Sequence, residues 1–113
     1  MCNKTIYFSV FALFLLFTSC SGTKKFAKQA SEFESAGMYQ DAAKNYLESV
    51  RRDPNNIEAR VGLKKNGEKV FQDYLDDFFT AKATGDNKQA VYVYLDAQKY
   101  AETLNNYNIE LEE

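Results

Sequence analysis

Residues 26–56 read FAKQASEFESAGMYQDAAKNYLESVRRDPNN, and this stretch decides the fold. Phe26, Ala30 and Phe33 recur at helical spacing and stop at Gly37, a residue suited to the left-handed position just past a helix end. Ala42, Ala43, Tyr46, Leu47 and Val50 then form a second apolar face, closed by Asp53-Pro54. Two helices so closely joined form an antiparallel hairpin. Working outward, Asn55 or Asn56 is suited to cap a third helix. Its apolar face is Leu63, Val70, Phe71, Tyr74, Leu75, Phe78 and Phe79, running to Gly85. Gly62 and Gly67 fall inside it, at a cost of about 1 kcal/mol each relative to alanine. Two forms fit: one lengthened helix over residues 57–83, or a break near Asn66-Gly67 with a normal hairpin after it. Asp86 or Asn87 caps a fourth helix along Ala90, Tyr94, Ala97, Ala101 and Leu104. Only Val91 and Val93 give any β character, so the chain after Cys20 is predicted to be all-α.

An internal repeat supports the hairpin reading. Gly37-Met38-Tyr39-Gln40-Asp41-Ala42 aligns with Gly85-Asp86-Asn87-Lys88-Gln89-Ala90, forty-eight positions on. At the same offset Tyr46 meets Tyr94 and Ser49 meets Ala97. Glycine, alanine five on, an aromatic four on and a small residue three on resembles the tetratricopeptide repeat. That resemblance is best over residues 26–56, where Asp53-Pro54-Asn55-Asn56 looks like the family's closing turn. It implies antiparallel hairpins in which Ala42 and Ser49 let helices approach closely while Tyr46 fills the space between them. Gly37, Ala42, Tyr46, Ser49, Pro54, Gly85, Ala90, Tyr94 and Ala97 are therefore expected to be packing residues of about two repeats. Family units are about thirty-four residues, so the larger offset implies a lengthened third helix. Asn56-Ile57-Glu58 recurs as Asn108-Ile109-Glu110, and Asn108 is suited to cap a further helix. Arrays of this kind need about three repeats. The expectation is thus an incomplete solenoid: a truncated array, or one completed by a partner.

The N-terminal end carries a different signal. Lys4 precedes residues 6–17, which contain no charge, and Phe17-Thr18-Ser19-Cys20 leads into Ser21-Gly22-Thr23-Lys24-Lys25. A basic start, an apolar run and small residues make the layout of a secretory signal peptide. The run is shorter than the roughly twenty residues a membrane-spanning helix needs. With a cysteine at the junction, the segment resembles the lipobox of bacterial lipoproteins. The resemblance implies a signal peptide over residues 1–19, diacylglycerol and N-acylation on Cys20, a short linker over residues 20–25 and the helical domain over 26–113. Several acyl chains are physically sufficient for an anchor. Ser21, rather than Asp, after the cysteine implies the outer membrane of a Gram-negative bacterium, on its periplasmic face.

Composition narrows the chemistry. The sequence contains no histidine, and its only cysteines are Cys2 and Cys20. Once the first leaves with the signal and the second is acylated, no thiol nucleophile, zinc ligand set or histidine base is left. The adjacent Asp76 and Asp77 point about a hundred degrees apart on a helix and do not converge as a catalytic pair. No enzyme activity, metal or cofactor other than the lipid on Cys20 is expected. Without Lys4 the 14 basic residues become thirteen against 16 acidic, a net charge of −3, and no basic stripe suggests nucleic acid. Nothing suggests a small-molecule substrate.

The repeat resemblance implies an adaptor or scaffold that holds protein partners, with envelope or outer-membrane assembly components as the partner class. The assembly machinery of the outer membrane includes a lipoprotein of similar architecture. By alignment Ser31, Glu34 and Lys65 fall near the groove side and are the candidate partner-binding residues. Ala27 and Ser31 stand where the carboxylate-clamping branch of the family has Lys and Asn, so that clamp is not implied. Tyr92, Tyr100 and Tyr107 do not share one narrow face, and tyrosine is enriched at interfaces. Two alternatives stay open: a glycan- or peptidoglycan-binding lipoprotein using surface tyrosines, and a bundle that self-assembles through its Phe/Tyr face.

Overall fold

In the computed structural model of the chain, residues 21–112 are described; they form four α-helices and no strand. We label them α1 (Ser21–Ser35), α2 (Tyr39–Arg52), α3 (Ile57–Ala83) and α4 (Asn87–Asn105). Each helix packs on its sequence neighbour, and α1 also touches α3. The protein is therefore all-α, built from antiparallel helical hairpins. The expected signal segment and the expected lipidation site, Cys20, lie outside the described residues.

The two hairpin turns have the same backbone. Gly37 and Gly85 both adopt φ +77°, which only glycine takes without strain. The Met38 amide donates to the Phe33 carbonyl (2.9 Å), and at the offset of the repeat Asp86 donates to Ala81 (3.0 Å). Gly37 donates to Glu34 and Gly85 to Lys82 in the same way. These bonds satisfy carbonyls that a helix end leaves open. Asn56 caps α3 by accepting from the Ala59 amide at 3.1 Å, and Asp86 caps α4 by accepting from Gln89 at 3.0 Å. Exposed Pro54 sits in the α2–α3 turn, where Asp53 accepts from the Asn55 amide.

Of the two forms open for the third helix, the structure has the unbroken one. Gly62 and Gly67 do not break α3; close neighbours require them. A Cβ at Gly62 would run into the Tyr46 ring, and one at Gly67 would lie 2.7 Å from Leu104 Cδ2. Tyr46, Val50, Leu63 and Leu104 form the centre of the core. Ala42, Ser49, Ala90 and Ala97 are all buried, as close helix approach demands. Ser49 Oγ donates to the Thr23 carbonyl at 3.0 Å, which ties α2 to the first turn of α1.

Three expectations change. Residues 21–25, read as a linker, are helical and belong to α1, held by that Ser49 bond and by Arg52 stacked 4.6 Å over the Phe26 ring. Asn108 does not cap a helix: it adopts φ +58° and residues 109–112 are non-helical. Ile109 is instead buried against the core. Phe79, assigned to the packed face of α3, is 63% exposed. The reason is length. α2 begins where Tyr39 donates to Asp73 of α3, and its first turns still border Tyr74 and Asp77, so the end of α3 after Asp77 projects past α2 with α4 beside it.

Candidate interaction surface

The three predicted partner-binding residues lie close together, but in an internal network. Lys65 Nζ donates to Glu34 Oε1 at 2.6 Å, and Tyr46 Oη donates to Glu34 Oε2 at 2.9 Å. The Lys65 hydrogen bond holds the Glu34 carboxyl below its ordinary value, against the opposing effect of burial. Ser31 is half-buried one turn before Glu34 on α1. Burial, reinforced by the Glu34 carboxylate, pushes the Tyr46 hydroxyl up to about 12. Glu34 thus joins α1 to α2 and α3, which leaves Lys65, largely exposed, as the member of this group open to solvent.

A second feature is a cleft of about 370 Å³ between α2 and α4, floored by Val70, Tyr74 and Tyr100 and edged by Lys44, Asp73 and Asp77. Tyr74 and Tyr100 pack at 5.9 Å between ring centroids, and burial pushes Tyr100 up to about 12. Asp73 is already engaged by Tyr39. No three carboxylate, histidine or cysteine side chains converge on a metal site among the described residues.

The third feature lies on the opposite side of α3 and α4, facing away from α2. Two adjoining depressions of about 360 and 540 Å³ meet at Tyr94. Phe71, Leu75, Phe78 and Lys82 form one wall and Val91, Tyr94, Gln98 and Ala101 the other. Phe78 packs on Tyr94 at 5.9 Å and on Phe79 at 5.4 Å. Around them Phe79, Val91, Tyr94 and Leu95 are each about half exposed or more. Single exposed apolar residues are ordinary, but a contiguous group of this kind marks an interaction surface. The C-terminal segment fills the other end of the same groove: Arg60 donates to the Asn108 carbonyl at 3.3 Å and Leu111 reaches Gly67. Arg60, Gly67, Phe71, Leu75, Phe78 and Lys82 share one stripe of α3 by helical spacing.

No protein-family model, curated protein or solved structure matches this chain.

Tyr46 and Tyr94, equivalent in sequence, have different surroundings. Tyr46 is 3% exposed because α3 crosses it at Gly62; Tyr94 is 48% exposed because no helix crosses it. Sequence reasoning also missed Val91, Leu95 and Lys82 as surface residues. The signal was present: at the repeat offset they correspond to Ala43, Leu47 and Glu34 of the first hairpin.

Proposed function

We propose that this protein is a lipid-anchored envelope adaptor, which holds a protein partner on its second helical hairpin while the lipid on Cys20 keeps it at the outer membrane. The carrying observation is the uncovered apolar groove on the outer side of α3 and α4. Burying such a face is the main source of association free energy in protein interfaces. The projecting end of the hairpin makes the groove accessible from beyond the first helix pair. The tether reading draws on the lipobox-like segment, and it is compatible with the helices: among the described residues none is long and apolar enough to cross a membrane. A lipid anchor fits this arrangement, since it needs no spanning helix.

The test is the intact mass and composition of the complex extracted from native membranes. The expected result is a chain starting at Cys20, heavier by its acyl groups, in stoichiometric association with another protein. An unlipidated chain overturns the tether. Retention on cell-wall material with no protein partner overturns the adaptor in favour of glycan binding through the surface tyrosines.

A further inference from the structure

The first hairpin shows how the groove of the second is filled. α3 lies in the α1–α2 groove, parallel to α1 and antiparallel to α2, and makes two defining contacts there. Gly62 lies against the Tyr46 ring, and Lys65, three residues later, bonds Glu34. The second hairpin repeats the turn backbone and has a groove at the equivalent place with different residues: Phe78, packed on Tyr94 at 5.9 Å, stands where the first hairpin has the buried Ala30. Tyr94 stands in the place of Tyr46, Val91 and Leu95 replace Ala43 and Leu47, and Lys82 replaces Glu34. The last change reverses the charge. Lys82 is exposed and has no carboxylate within ion-pair distance among the described residues.

We infer that the outer α3–α4 groove docks an amphipathic helix of a different protein, parallel to α3, with a small residue over the Tyr94 ring and an acidic residue three positions later against Lys82. This rests on the adaptor reading and specifies its partner. The small residue is inferred from the first hairpin, where a Cβ at Gly62 would meet the Tyr46 ring. A helix with Lys at the second position is disfavoured by like charge. The described helices of a second copy do not fit. Within its four described helices the one small residue followed three positions later by an acid is the Ser31–Glu34 pair, and Glu34 is bonded to Tyr46 and Lys65.

The chain supplies its own probe. Two peptides of residues 57–71 are made, stapled between positions 64 and 68 on the face away from the contact, one natural and one carrying Lys65→Glu. Their binding to the full-length chain in nanodiscs is read by fluorescence anisotropy. The Lys65→Glu peptide is expected to bind on the order of tenfold tighter than the natural one. Lys82→Glu in the protein is expected to reverse that preference. Tyr94→Ala, at an exposed position, is expected to weaken binding of the preferred peptide while leaving the circular dichroism spectrum unchanged. Equal binding of both peptides, or indifference to both substitutions, overturns the inference. So does a dimer in light scattering that Val91→Glu dissociates, which assigns the groove to a second copy. A stoichiometric partner in native membranes combined with failure here places that partner elsewhere on the chain. The adaptor reading itself fails only when the native complex holds no partner.

Discussion

Replacing Gly62 by alanine tests the central packing argument most directly. In a helix exposed to solvent the change is favourable by about 1 kcal/mol, because alanine restricts the unfolded chain and favours the helix. Here the new methyl group meets three carbon atoms of the Tyr46 ring. The ring has little room to retreat: it is buried, and its hydroxyl is bonded to Glu34. Overfilling a core costs about 1–3 kcal/mol, and losing a hydrogen bond to a charged group adds about 1.5–3 kcal/mol if the ring is displaced. Set against the helical gain of about 1 kcal/mol, the net effect with the ring displaced is destabilisation of about 1.5–5 kcal/mol. The assay is urea unfolding followed by circular dichroism at 222 nm, in the natural and Tyr46→Ala backgrounds. Without the ring the same substitution loses its clash, so its sign is expected to reverse to stabilising by up to about 1 kcal/mol. Destabilisation of equal size in both backgrounds, or stabilisation in both, would refute the account of Gly62.

Other expectations are measurable in the same way. Tyr46→Ala should cost about 3–5 kcal/mol, as loss of a buried aromatic does, whereas Tyr94→Ala should fall within about 1 kcal/mol of neutral because its ring is half exposed; similar costs in urea melts would contradict the asymmetry between the hairpins. Asn56→Ala and Asp86→Ala should each destabilise by about 1 kcal/mol through loss of an N-cap, checked by the unfolding midpoint. Glu34 is held below its ordinary value, so its contribution is present above the unfolded carboxylate range and lost as pH falls through its folded value; Glu34→Gln should flatten that acid limb of the stability profile. Tyr46 and Tyr100 are raised to about 12, so their contribution is full below pH 10 and lost as pH rises toward 12. Absorbance at 295 nm should show Tyr46 and Tyr100 ionising late, together with unfolding.

What the sequence by itself determined is local in origin. Gly37 and Gly85 mark the hairpin turns because positive φ admits few other residues, and Asn56 and Asp86 mark helix starts because their side chains meet nearby amides. Apolar spacing marked the four helices, while the unbroken span of Ile57–Ala83 was one of two forms it allowed. Tertiary structure alone decided what covers each face. Gly62 and Gly67 looked like weaknesses in α3 until Tyr46 and Leu104 were seen beside them. Glu34 and Lys65 read as partner-binding candidates on the groove side, and α3 brings them together as an ion pair across that groove. Ile109 continues no helical pattern, yet burial holds it against the core. Tyr46 and Tyr94 occupy the same place in one motif, and only the presence of a crossing helix at one and its absence at the other separates a core residue from a half-exposed one. Propensity and capping act over a few residues and can be read along the chain; burial depends on segments distant in sequence, and no local pattern carries it.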